Sequence, residues 1–417
     1  MFYINNLGAK MKKILISLFL SGLVLFGVSF LPDGQGPLYQ PSGVNSNFLF
    51  KGETFQEYLA YTRELVQTAR RKTEGADDSE EVVLGNASSE IVPANVIPGK
   101  EKKYKDLVVI IHSLTGSPYE MKELSKYYAS RGMVVRNIML PGHGTIPGDT
   151  VDVQYKDWDA AVEFVLQDSL KIADNVHMAG FSTGGGLSIL KSYKYPIKSV
   201  MLFAPMIEIN SPVAFLLPIV SSVGRVIKKL RWEALEPETN PYKYESMTYS
   251  IAAQVYKLQK QIEKVITGEF KQPMFAVLSM EDTTVSSDTT VAFFKNTTNV
   301  LNRMIIYSKS PKKFHDSRIK TMNFAGFARN INSSSHAGIV TKIDDPYFGL
   351  NAPYKICTAY LSDMEKYKKC ESLHHTKVVY GEGGPEDGSE TILRRITFNP
   401  YFDQMTVDLG KFLDSLG

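Results

Sequence analysis

The sequence predicts an α/β fold: a mostly parallel sheet flanked by helices, interrupted once by a helical insertion. Three observations carry this. Residues 107–111 form a continuous apolar run, the mark of a strand covered on both faces, and further strand candidates stand at 199–203 and 274–278. Segments of helical period stand between strand candidates, as βαβ units require. The alternation breaks over residues 207–270 and then resumes.

The elements follow in order. Residues 1–31 carry Lys10, Lys12 and Lys13, then an apolar run at 14–31, with Gly27, Val28 and Ser29 near its end. This layout reads as a signal peptide and export, the alternative being a membrane anchor formed by 14–31. No cysteine follows the run, so a lipoprotein anchor is not indicated. Residues 32–104 read as an N-terminal linker and helix: 32–50 is rich in Gly, Pro, Ser and Asn, 54–71 has helical period, and 72–104 is polar and loop-like. The core comprises 105–206 and 271–417. It begins with strand 107–111, helix 118–131, strand 133–138, helix 155–168, and strands 176–179 and 199–203. The insertion 207–270 opens apolar at 214–220 and contains a helix at 250–266. Strands at 274–278 and 300–307 and a closing helix at 407–416 complete the reading.

Composition narrows the partners. The 417 residues are 43% apolar and 22% charged, an ordinary globular balance. Residues 1–29 hold three lysines and no acid, so they account for the whole formal charge of +3, and the neutral remainder gives no sign of nucleic-acid binding. Two cysteines, Cys357 and Cys370, stand 13 apart, which in an exported chain reads as a disulfide closing a short loop. The neighbouring His374 and His375 do not complete a zinc spacing, and no metal or cofactor is expected.

The chemistry centres on Gly180-Phe181-Ser182-Thr183-Gly184, a G-x-S-x-G between a strand candidate and a glycine-rich helix start. Such a turn lifts a serine oxygen clear of a sheet at a helix N-terminus, making Ser182 the candidate nucleophile. A serine needs a base, and the base needs an orienting acid. Asp282, in the loop after strand 274–278, is the acid candidate, with Glu281 and Asp288 as alternatives. His336, flanked by small residues, is the preferred base, and His315 in a basic polar loop is the alternative. His143, His112 and His177 precede the nucleophile, while His374 and His375 read as surface residues. The loop His112-Ser113-Leu114-Thr115-Gly116 after the first strong strand offers the Leu114 N–H for a developing oxyanion, with the Thr183 N–H as the second donor.

With Leu140-Pro141-Gly142-His143-Gly144, Asp157-Trp158, Glu281-Asp282 with Val285, and Ser335-His336 in that order, the chain resembles the α/β-hydrolase superfamily over about residues 105–340. The resemblance is to its carboxylesterase and monoacylglycerol-lipase-like branch, and it implies that 207–270 is a lid, that Ser182, Asp282 and His336 form a triad, and that Leu114 and Thr183 line an oxyanion hole. Ser113 stands where the family pattern commonly has Gly, and about 80 residues extend beyond the minimal fold. The expected function is an exported serine esterase or lipase working through an acyl-enzyme on a small-molecule or lipid ester. Membrane association would come through the N-terminal apolar segment. A thioesterase or peptidase, or a non-catalytic binding protein on the same fold, are the alternatives. The apolar stretch 213–220 would either contact an acyl chain or pack the lid onto the core.

Overall fold

A computed structural model describes residues 34–360, 363–383 and 390–417. The N-terminal basic and apolar segment expected as a signal or anchor lies outside the described residues. No helix among those described is long and apolar enough to cross a membrane.

Residues 34–50 are not a free linker. Ser42 donates its N–H and hydroxyl to the buried Asp149 carboxylate at 2.7 and 2.8 Å, and the Asn45 side-chain amide donates to the His143 carbonyl at 2.7 Å. Helix α1 (Phe55–Arg71) starts with a capping box: the Thr54 hydroxyl accepts the Glu57 N–H, and the Glu57 carboxylate accepts the Thr54 N–H. The stretch 72–104, expected to be loop, contains helix α2 (Glu80–Asn86) and strand β1 (Ser89–Ile91). Strand β2 (Tyr104–Ile111), helix α3 (Lys122–Ser130), strand β3 (Val134–Ile138), helix α4 (Tyr155–Ile172), strand β4 (Ala173–Phe181), helix α5 (Thr183–Ser192) and strand β5 (Ser199–Phe203) follow.

The segment between β5 and the next sheet strand holds helix α6 (Leu217–Val226), the short antiparallel pair β6 (Trp232–Ala234) and β7 (Met247–Thr248), and helix α7 (Tyr249–Val265). Strand β8 (Met274–Ser279), helix α8 (Ser287–Lys295), strand β9 (Arg303–Ser308) and strand β10 (Ile319–Asn323) return to the sheet. Helix α9 (Met364–Ser372), the parallel pair β11 (Val379–Gly381) and β12 (Leu393–Arg395), and helix α10 (Phe402–Asp414) end the chain.

The sheet has eight strands in the order β1-β3-β2-β4-β5-β8-β9-β10. Only β1 runs antiparallel; every other pairing is parallel. The two-residue side-chain period of β2 shows why its run is apolar throughout. Leu107, Val109 and Ile111 enter the core on one face with Trp158, Val162 and Ile262, while Val108 and Ile110 enter the other with Leu124, Tyr128, Met405 and Phe412. Each such side chain contributes about 1.5–3 kcal/mol by leaving water.

At the sheet edge the buried Arg136 of β3 is held by Glu90 at 2.9 Å and Asp168 at 2.7 Å, and its guanidinium lies 4.2 Å from the Phe55 ring centroid. This one side chain ties α1, β1 and α4 together.

Candidate active site

Strand β4 ends at Phe181 and α5 begins at Thr183, so Ser182 alone makes the turn. Its backbone sits at φ 53°, ψ −115°, a conformation uncommon for a residue with a Cβ. Neighbouring chain fixes it there. Ser182 N–H donates to Phe203 O at 2.9 Å, and Ser182 O accepts Gly186 N–H at 3.1 Å and Met206 N–H at 2.9 Å.

The flanking glycines serve close approach. A Cβ on Gly180 would stand 2.3 Å from the Gly184 carbonyl carbon, and one on Gly184 would stand 2.2 Å from Ile111 O. The motif therefore encodes contact between β2, β4 and α5, while the strain resides on the serine itself.

Ser182 Oγ lies 2.9 Å from His336 Nε2, and His336 Nδ1 lies 2.6 Å from Asp282 Oδ2. All three side chains are buried or nearly so. Asp282 Oδ1 accepts the Thr284 and Val285 amides at 2.7 and 3.0 Å. Burial pushes the Asp282 carboxyl up, but the His336 imidazole and these two amides more than offset it and hold the carboxyl below its ordinary range. With Asp282 ionised, Nδ1 carries the proton and Nε2 faces Ser182 as an acceptor, the arrangement that draws a proton from a hydroxyl.

The other candidates lie elsewhere. His315 is exposed in the loop between β9 and β10. Glu281 turns to Ser308 Oγ and Lys309 N–H, at 2.8 and 2.9 Å. Asp288 is exposed in the first turn of α8. His177 bonds Ser199 within the sheet. His374 and His375 lie in a short turn after α9, and no group of three metal-ligating side chains exists among the described residues.

His112 and His143 support the loop that bears Leu114. Leu140 N–H donates to His112 Nε2 at 3.1 Å, so His112 carries its proton on Nδ1 and donates it to Ser113 O at 2.7 Å. That carbonyl belongs to the same peptide group as the Leu114 N–H, which is thereby oriented. His143 Nε2 bonds the Leu114 carbonyl. Burial pulls both rings below the ordinary imidazole range.

Ser113, the departure from the family pattern, is accommodated by Glu120. The buried carboxylate accepts Ser113 N–H at 2.8 Å and Ser113 Oγ–H at 3.0 Å. Burial pushes the Glu120 carboxyl up against the pull of Lys243 and Ser113, and burial pulls the Lys243 ammonium down; that ammonium donates to Thr115 Oγ1 at 2.6 Å. Serine at 113 adds a bond rather than a clash.

Ser182 and His336 open on a cavity of about 480 Å³ that Leu114 and Thr183 also line. The segment between β5 and β8 contributes apolar side chains to its lining, among them Ile209, Leu217, Met247 and Val255. The C-terminal segment adds Phe348, Tyr354, Ile356 and Arg395 to the lining. Glu236, Lys243 and Glu245 are among the charged residues of the lining. Burial, together with Glu245, Glu238 and Glu371, pushes the Glu236 carboxyl up to about 7. Cys357 and Cys370, both buried, are joined by a disulfide, and Ile356 and Thr358 on either side of Cys357 line the cavity.

Residues 102–316 match the family model described as serine aminopeptidase, S33. Ser182 and Asp282 fall inside that span; His336 and the C-terminal lining residues fall beyond it. A thermostable monoacylglycerol lipase of Bacillus sp. (strain H-257) is 30% identical over 105 residues, which are 24% of this chain and 42% of that protein. A carboxylesterase of Bacillus subtilis (strain 168) is 28% identical over 104 residues, 24% of this chain and 41% of that one. The chain thus spans about two fifths of the length of the curated relatives it matches. Among solved structures, a Paleococcus ferrophilus monoacylglycerol lipase is 15% identical with a TM-score of 0.42, covering 53% of this chain and 88% of its own. Half of the chain carries the family signature, and the chain belongs to the serine aminopeptidase S33 family of α/β-hydrolases, with partial similarity to the monoacylglycerol lipase and the carboxylesterase above.

Proposed function

We propose that the protein is a serine hydrolase that cleaves carboxylic esters. The observation that carries this reading is the hydrogen-bonded row Asp282–His336–Ser182 opening on a cavity lined in part by apolar side chains. Ser182 Oγ attacks the ester carbonyl carbon while His336 Nε2 takes its proton. The Leu114 and Thr183 N–H groups face the resulting oxyanion, each worth about 3 kcal/mol in the transition state. The tetrahedral adduct collapses, the C–O bond to the alcohol breaks, and His336 returns the proton to the leaving oxygen. Water then attacks the acyl-serine, gives its proton to His336, and the acid leaves as Ser182 recovers its hydrogen. The apolar part of that lining suits the acyl portion. The basic and apolar N-terminal sequence and the disulfide both support export, since disulfides persist in oxidising compartments; the mature N-terminus read by mass spectrometry tests this.

A second reading, an aminopeptidase, is favoured by Glu236 and Glu245 on the cavity wall, which would receive a substrate ammonium group. Turnover of p-nitrophenyl esters of graded chain length, compared with aminoacyl p-nitroanilides, separates the two. Labelling by a fluorophosphonate probe is expected in the parent and absent in Ser182→Ala. His336→Ala is expected to be inactive and His315→Ala active; the reverse result would reassign the base.

A further inference from the structure

The family match ends at residue 316, yet the candidate base and what holds it lie beyond. The backbone of 330–333 runs beside 380–382: Asn332 N–H donates to Tyr380 O and Tyr380 N–H to Asn330 O, both at 2.7 Å, and Glu382 N–H donates to Ser333 Oγ at 2.9 Å. This pairing brings Glu382 under the His336 loop. Its side chain is 2% exposed and collects three donors. Oε2 accepts the His336 backbone N–H at 2.7 Å. Oε1 accepts Thr283 Oγ1–H at 2.7 Å and the Arg395 guanidinium at 2.8 Å. Arg395 also donates to Thr284 Oγ1 at 2.8 Å.

Thr283 and Thr284 directly follow Asp282. One carboxylate and its arginine therefore stitch the loop of the acid to the loop of the base. We propose that Glu382, held by Arg395, is a positioning residue that sets the His336–Asp282 register. The C-terminal segment thus completes the site whose chemistry is proposed above, and the inference rests on that reading. Arg395 is in turn placed by the disulfide region, because the adjacent Arg394 donates to the carbonyls of Cys370 and Leu373.

A carboxylate accepts at both oxygens, and here Oε1 and Oε2 are both in use. Glutamine has the same shape but turns one end into a donor. In Glu382→Gln an NH2 group must face either the His336 N–H or the Thr283–Arg395 pair, and one side of the stitch opens. Displacement of the imidazole on the 1 Å scale lowers turnover by about 100-fold.

The test uses the full chain, comparing the parent with Glu382→Gln and Glu382→Ala. Ester turnover, fluorophosphonate labelling rate, thermal unfolding and the low-field proton resonance of His336 Nδ1–H are recorded. A folded Glu382→Gln with kcat lowered on the order of 10- to 100-fold, KM unchanged and that resonance shifted or broadened supports the proposal. Unchanged kcat with an unchanged resonance overturns it. If neither variant folds, Thr283→Val, which deletes one bond to the same carboxylate, carries the test: kcat falls at constant KM, or the proposal fails. A parent that neither turns over esters nor labels defeats the hydrolase reading alone, and the proton resonance in the variants still decides the positioning role.

Discussion

Gly184→Ala tests how the turn at Ser182 is built. The added Cβ would stand 2.2 Å from Ile111 O and 2.7 Å from His112 O, where ordinary contact begins at 3.4 Å. Both are backbone atoms at the end of β2 and cannot rotate away. Relief requires the start of α5 to part from the end of β2 by about 1 Å, against a packed core that resists such shifts. Thr183 starts α5 and Leu114 lies just beyond β2, so the two N–H groups proposed as oxyanion donors would lose a common focus. Removing one oxyanion donor lowers kcat by about 10²–10³-fold, and a misaimed pair is expected near the lower end. Overpacking of this kind destabilises by about 1–3 kcal/mol. The assay pairs p-nitrophenyl ester turnover with urea unfolding. Gly268→Ala is the control, because its Cβ meets nothing closer than 3.4 Å. Parental turnover and stability in Gly184→Ala would refute the close-approach account of the motif.

Other expectations follow from single features. Glu236 is pushed up to about 7, whereas an unfolded glutamate titrates near ~4.3. The folded chain therefore holds the extra proton between these values, and stability falls as pH rises through that window. Glu236→Gln should raise the unfolding temperature above about pH 7 and leave it unchanged below about pH 4; an equal shift at both ends would contradict the assignment. Replacing Cys357 and Cys370 together with serine should lower stability by about 3 kcal/mol in denaturant titration, and an unmoved midpoint would mean packing alone holds the loop. Arg136→Met leaves the Glu90 and Asp168 carboxylates without their shared cation and should cost about 3–5 kcal/mol; a loss below the error of the unfolding curve would deny the edge cluster its role.

The parallel strands were legible because both faces are covered, which makes their text apolar without alternation: β2, β5 and β8 are the clearest cases. Strand β10 has the sequence Ile-Lys-Thr-Met-Asn and sits half exposed at the sheet edge, so it lacks that signature. Strand β1 has three residues and α2 seven, too short for a period to show in the polar stretch 72–104. Residues 34–50 have linker composition, yet their serine and asparagine side chains serve as bonding groups to Asp149 and His143. At the candidate site, a local motif singled out Ser182 and chain order singled out Asp282 and His336, and the three side chains lie in one hydrogen-bonded row. Glu382 was not singled out, because its partner is a backbone amide and no residue pattern records which amide a distant carboxylate will meet. The supporting tasks of His112 and His143 were hidden for the same reason: a histidine in a motif does not declare whether it carries protons for a reaction or braces a peptide.

The distance along the chain between the parts of this site governs when it comes into being. Ser182 and His336 are separated by 154 residues, and the carboxylate that grips the His336 amide arrives 46 residues later still. Synthesis delivers the N-terminal part first. A chain made only as far as β9 has its serine turn and its aspartate, but no imidazole between them. On the proposed reading, chemical competence waits for the segment beyond residue 316, which supplies His336 and Glu382. In the nascent chain Ser182 therefore stands without its proposed base until the segment that carries His336 has been made.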